Sequence, residues 1–228
     1  MRKYLIVTAH PDDEVLGAGG SIARWIKKGW DVKIAILGEG ITGRLRNRKK
    51  VPKLKILQDQ AVKAAHILGV GRPHFFNLPD NRFDSLDIID VVKPIEELIN
   101  NYRPDVVVTH FRGDLNIDHR ITAEAVAVAT RPTGGFTPEK VLSFDIPSST
   151  EWNFYDNLSA FNPNIFINIS KTLDLKIKAM QVYEEEMRPF PHPRSIESLK
   201  ARSVYWGSIS GLPAAEPFIL LREINFEG

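Results

Sequence analysis

Residues Ala9-His10-Pro11-Asp12-Asp13-Glu14 place one imidazole and three carboxylates directly behind the apolar run Lys3 to Thr8. A second polar cluster, Asn116-Ile117-Asp118-His119, lies shortly after another apolar run, PDVVVTH, which ends at His110. A catalytic zinc takes three His and carboxylate ligands and leaves a further position to water. His10, Asp13 and His119 can supply those three. Asp12 is then free to act on the water as general base, since a carboxylate bound to metal has given up the lone pairs that a base needs. Neighbouring side chains in extended or turn backbone point in different directions, so Asp13 can face a metal while Asp12 faces a substrate. Taken alone, either cluster reads as a solvated loop whose aspartate caps the next helix. Two such clusters, each behind a buried strand, favour chemistry.

Residues so far apart in sequence need a scaffold that brings strand ends together. Apolar runs rich in β-branched residues alternate with stretches of helical period, which predicts an α/β chain: a mostly parallel sheet with helices on both faces. Strands are expected at Lys3 to Thr8, Asp31 to Leu37, HFFNL, PDVVVTH, VLSFDI, NIFINI and PFILLREI. A glycine turn at Gly17-Ala18-Gly19-Gly20 would lead into a helix near Ser21 to Lys28. Further helices are expected over LKILQDQAVKAAHIL, stopping at Gly69, from a Ser85 cap to about Asn101, over ITAEAVAVAT, and over SKTLDLKIKAMQVYEEEM. Open sheets of this kind bind ligands beyond the carboxyl ends of their strands, where both clusters should lie. The glycine run also allows a competing reading, a non-hydrolytic nucleotide-binding module. The strict glycine spacing of such a turn is absent, and three carboxylates at the strand end would repel a pyrophosphate.

Composition sets outer bounds. The 228 residues suit one domain spanning 1–228. With 30 Lys and Arg against 28 Asp and Glu there is no global field to recruit nucleic acid or an anionic membrane. The sequence has no cysteine, which excludes disulfides, thiolate metal sites and a cysteine nucleophile, and fits a cytoplasmic setting. The apolar start is too short for a signal sequence, and no stretch approaches transmembrane length.

The stretch AHPDDE, the GxGG behind it, LPDNRFD, DLNIDHR and a C-terminal HPRS together resemble the PIG-L or LmbE-like family of zinc-dependent N-deacetylases. The resemblance implies a Rossmann-like fold that binds zinc, or another divalent ion. It also implies hydrolysis of an N-acyl group, usually N-acetyl, from an amino sugar such as N-acetylglucosamine or from a sugar conjugate. Matched residue by residue, it makes His10, Asp13 and His119 the metal ligands and Asp12 the general base, in agreement with the ligand chemistry. One departure stands out. Many members carry a histidine where this chain has Asn116. Asn116 can donate an amide hydrogen bond to an oxyanion but cannot act as an imidazolium acid. Asp118 is expected to orient a ligand histidine. His192, between prolines in PFPHPRS, is a candidate oxyanion stabiliser or acid, and His110 is its rival as well as a candidate substrate contact. Arg44 and Arg48, in a basic loop, and Asp80, Asn81 and Arg82, in a turn, are candidate substrate contacts. His66 and His74 read as structural. The expected partner is a small N-acetylated sugar, and the proline-rich segments with Trp152 offer surface for a homo-oligomer.

Overall fold

The computed structural model of the chain describes residues 1–40, 54–154 and 160–226. These form a seven-stranded sheet in the order β3-β2-β1-β4-β5-β7-β6. The strands are β1 (Lys3–Thr8), β2 (Asp31–Gly38), β3 (His74–Leu78), β4 (Val106–His110), β5 (Lys140–Phe144), β6 (Ile165–Asn168) and β7 (Ala215–Glu223). The first five pair in parallel, and β7 runs antiparallel to both of its neighbours. The helices are α1 (Asp13–Lys27), α2 (Leu54–Leu68), α3 (Ile88–Tyr102), α4 (Ile117–Ala129), α5 (Leu173–Gln181) and α6 (Ile196–Ser210).

Strand side chains alternate between faces, and the two cores follow that period. Tyr4 and Ile6 of β1 pack with α1, α2 and α5, whereas Leu5 and Val7 pack with α3 and α4. Helices therefore cover both faces, as the alternating pattern predicts. The strand order reverses beside β1, where β2 lies on one side and β4 on the other. Their C-terminal ends form the crevice at which open α/β sheets place ligands.

Four local expectations need correction. Gly17, Gly19 and Gly20 are not in a turn; they are buried within α1, which already starts at Asp13. A Cβ on Gly17 would come within 2.3 Å of the Phe144 ring, and one on Gly20 within 2.8 Å of Ile169. Close packing thus outweighs the helix cost of glycine, about 1 kcal/mol per residue. A buried ion pair closes over the same turn: Glu216 accepts from the amides of Gly20 (2.9 Å) and Ser21 (2.6 Å) and pairs with Lys176. The Lys176 ammonium also donates to the Leu16 carbonyl at 2.8 Å. These glycines serve helix packing, and a pyrophosphate turn has no place there. Ser85 ends a short 3-10 turn (Phe83–Ser85), and α3 begins after Asp87. Helix α4 starts at Ile117, so Asp118 and His119 sit in its first turn and not in a loop. Finally α6, absent from the sequence reading, has a Ser195 cap and ends at Gly211 in the left-handed region (φ 69°). Those cap residues were its only clear sequence signal, because its apolar residues do not keep to one face.

Candidate active site and metal centre

β1 and β4 end side by side, with Ile6 in register with Val108. The segments that follow them, His10 to Asp13 and Asp114 to His119, therefore meet above the sheet. Donor atoms of His10, Asp13 and His119 all lie within 4.8 Å of one another, and all three residues are buried. Asp13 Oδ2 is 3.5 Å from His10 Nδ1 and 3.4 Å from His119 Nε2. A tetrahedral zinc with bonds of about 2.0–2.2 Å sets its donors about 3.3–3.5 Å apart. The group can hold a metal ion.

Each histidine is turned by a carboxylate on its other nitrogen, as metal-binding imidazoles usually are. His10 Nε2 lies 2.9 Å from Asp118 and 3.0 Å from Asp80. His119 Nδ1 lies 3.1 Å from Asp114 Oδ1. Asp118 is further fixed by the amides of Asn81 (2.6 Å) and Phe83 (3.0 Å). Asp114 in turn accepts from Ser149 and, at 2.6 Å, from Thr150.

Buried carboxylates dominate the electrostatics of the group. Burial lowers the pKa of His10, but the carboxylates of Asp118, Asp13 and Asp80 outweigh it and hold the ring protonated well above the usual range. Burial acts the same way on His119, and Asp13 and Asp114 carry it up to about 9. Asp13, despite burial, is held well below the ordinary carboxylate range by the charge on His119 and by hydrogen bonds from His10 and His119. His110 is neutral, pushed down to about 3 by burial and then by the charge on His119. It stacks on His119 at 4.1 Å, and its Nε2 accepts the Ala9 amide at 2.9 Å.

A cleft of about 220 Å³ opens over this group, lined among others by His10, Asp12, Asp13, Asp80, Asn81, Asn116 and His119. Asp12 is 3 % exposed, and its Oδ2 lies 2.6 Å from Arg194. Asn116 caps α4: its Oδ1 accepts from the Asp118 amide at 2.8 Å, which leaves the Nδ2 amide as its donor end. That Nδ2 is 3.5 Å from Asn81 Oδ1.

Other expected residues fall elsewhere. His110 is buried behind His119 and does not line the cleft, because the end of β4 is covered on both faces. Arg82 is exposed and not among the lining residues, since the turn gives its carbonyl, not its guanidinium, a structural partner in Ser85. His192 also stays off the cleft lining. Its Nδ1 accepts from the Arg194 amide at 3.1 Å, and its ring meets Trp152 edge-on. Arg44 and Arg48 lie outside the described residues. His66 and His74 are both exposed, away from the cleft.

Sequence reasoning missed four polar lining residues, Arg194, Glu186, Ser148 and Ser149, and the supporting Asp114. For Arg194 the signal was present, since HPRS contains it two positions after the histidine. No helix among the described residues is long and apolar enough to cross a membrane.

The chain is similar to several known proteins. A diacetylchitobiose deacetylase of Thermococcus kodakarensis is 26% identical over 226 residues, covering 95% of this chain and 82% of the relative. A 1D-myo-inositol 2-acetamido-2-deoxy-alpha-D-glucopyranoside deacetylase of a Mycobacterium species is 23% identical over 238 residues, 85% of this chain and 77% of the relative. Among solved structures, the 4-carboxy-2-hydroxymuconate hydratase of Pseudomonas putida KT2440 matches with a TM-score of 0.79 at 20% identity, over 100% of this chain and 99% of the other. The fold thus carries more than one chemistry in the proteins that share it. The family profile described as PIG-L, GlcNAc-PI de-N-acetylase, matches residues 5–130, which include both polar clusters, and the chain belongs to that family.

Proposed function

We propose that the protein is a metal-dependent hydrolase that removes an N-acetyl group from an amino sugar or sugar conjugate. The observation that carries this reading is the meeting of His10, Asp13 and His119 in one cleft with Asp12, a carboxylate outside that donor group. Two relatives named as deacetylases of acetylated amino sugars support the substrate class.

His10, Asp13 and His119 would hold zinc, which when bound polarises an amide carbonyl and lowers the pKa of water. The chain's own residues do the rest. Asp118 and Asp80 fix His10, and Asp114 fixes His119, so both rings present one nitrogen to the same point. Asp12 takes the proton of the attacking water and delivers it to the departing nitrogen, giving acetate and a free amine. Asn116 Nδ2 donates to the carbonyl oxygen as negative charge builds there. This role stands in for a histidine donor, and it leaves Asp12 as the acid of the second step. The cysteine-free sequence supports work in a reducing compartment such as the cytoplasm.

Acetate release from a panel of N-acetylated sugars, free, glycosidic and nucleotide-linked, tests the proposal. Activity on at least one sugar, lost with a chelator and restored by zinc, is the expected result. Turnover that persists after complete metal removal would show the reading to be wrong.

A further inference from the structure

We infer that Arg194 is a positioning residue for Asp12: the guanidinium, and not the helix backbone, holds this carboxylate in the cleft. The inference rests on the reading of Asp12 as the base.

Asp12 stands at the N-cap position of α1, where an aspartate ordinarily accepts from amides of the first turn. It makes no such bond. Its backbone has φ 104° and ψ −30°, a region that L side chains avoid and that persists where the surroundings over-determine it. Among its contacts, two bear on this. The Asp12 amide donates to Glu14 Oε2 at 3.1 Å, and the Asp12 carboxylate meets Arg194 Nη1 at 2.6 Å. Both carboxylates in this arrangement are deeply buried, so the arginine charge is little screened.

Arg194 is itself held at several points. Nη1 also reaches Glu186 Oε2 at 3.2 Å, and Nε donates to Ser148 Oγ at 2.8 Å. The next residue, Ser195, caps α6 by accepting the Ser198 amide at 3.0 Å. The cation is thus mounted on a helix start and fixed by two other segments. An arginine fork can make these bonds together, whereas a lysine ammonium offers one point charge. Removing the guanidinium takes away the cation that reaches both Asp12 and Glu186, and the first-turn amides of α1 then compete for the Asp12 carboxylate. A cap-bound Asp12 would no longer point into the cleft.

The test combines kinetics and structure on the metal-loaded protein. Wild type, Arg194→Met, Arg194→Lys, Asp12→Asn and the Asp12→Asn/Arg194→Met double variant are assayed on whichever N-acetylated sugar the wild type turns over fastest, with metal content measured throughout. Arg194→Met should lower kcat roughly 10- to 100-fold, as small misplacements of reacting groups do, with KM changed by less than about threefold and metal retained. Arg194→Lys should recover part of the loss. In the Asp12→Asn background the Arg194 change should add less than about twofold, because the two residues act as one unit. Equal losses in both backgrounds, or a raised KM at unchanged kcat, would overturn the inference. A crystal structure of Arg194→Met decides the matter without activity: the Asp12 carboxylate should have left its cleft position, and an unmoved carboxylate refutes the proposal even if the deacetylase reading itself fails on the substrate panel.

Discussion

The proposed metal ligands and the proposed base share one cleft but reach it by different routes. His10, Asp13 and His119 come from two short segments behind β1 and β4, and the carboxylates that turn the two rings come from Asp80, Asp114 and Asp118. Asp12 belongs to the same β1 segment, yet Arg194, which meets its carboxylate, lies 182 residues away in the chain. The difference teaches where each function is specified. Ligand geometry follows from strand ends that the sheet topology brings together. Control of the base depends on side chains from segments that lie between β5 and α6 in the chain.

The sharpest way to break this comparison is to remove one donor of the metal group. His119→Ala should abolish bound metal and lower turnover by roughly three orders of magnitude or more, since the site then has too few ligands. Metal analysis of the purified variant checks it, and full metal stoichiometry would mean that the donor set is wrong.

A smaller effect separates the two jobs of Asn116. Asn116→Asp keeps an oxygen for the α4 cap but replaces the Nδ2 donor with a carboxylate oxygen. Thermal stability should change little, whereas kcat should fall roughly 10- to 100-fold, as for loss of an oxyanion donor at the weaker end of the usual range. Asn116→Ala should in addition lose about 1 kcal/mol of stability with the cap. If the aspartate variant keeps wild-type kcat, Asn116 is a cap and nothing more.

The smallest effect is on the metal-free protein. His119 has its folded pKa raised from 6.5 to about 9, and His10 is raised as well. Both rings therefore bind protons more tightly folded than unfolded. Their contribution to stability is complete below pH 6.5 or so and is lost as pH rises through about 9. Chelated protein should melt lower at pH 9.5 than at pH 6.5, by roughly a few degrees. Bound metal replaces those protons, so metal affinity should rise over the same interval. A midpoint that rises for the chelated protein would contradict the carboxylate cage around these rings.

Much of the first route was legible in the sequence. Short apolar runs ending in His10 and His110 announced buried strands, and the polar residues behind them had the right types for ligands. The glycine run was misread because its residues obey packing against Phe144 and Ile169, a tertiary contact that overrides local propensity. The wall that holds Asp12 was missed for a related reason. Ser148, Glu186 and Arg194 each contribute one side chain from separate segments, and no spacing rule joins them. His192 drew attention as the more reactive neighbour, yet its ring is used to brace the Arg194 backbone and to meet Trp152.

The central claim is that two adjacent aspartates have different tasks. Measuring metal content and acetate release on the same preparations of Asp12→Asn and Asp13→Asn tests it most directly. The account expects Asp12→Asn to keep its metal and lose roughly two or more orders of magnitude in turnover, and Asp13→Asn to lose both. Wild-type turnover in Asp12→Asn, or loss of metal from it equal to that from Asp13→Asn, would contradict the division of labour.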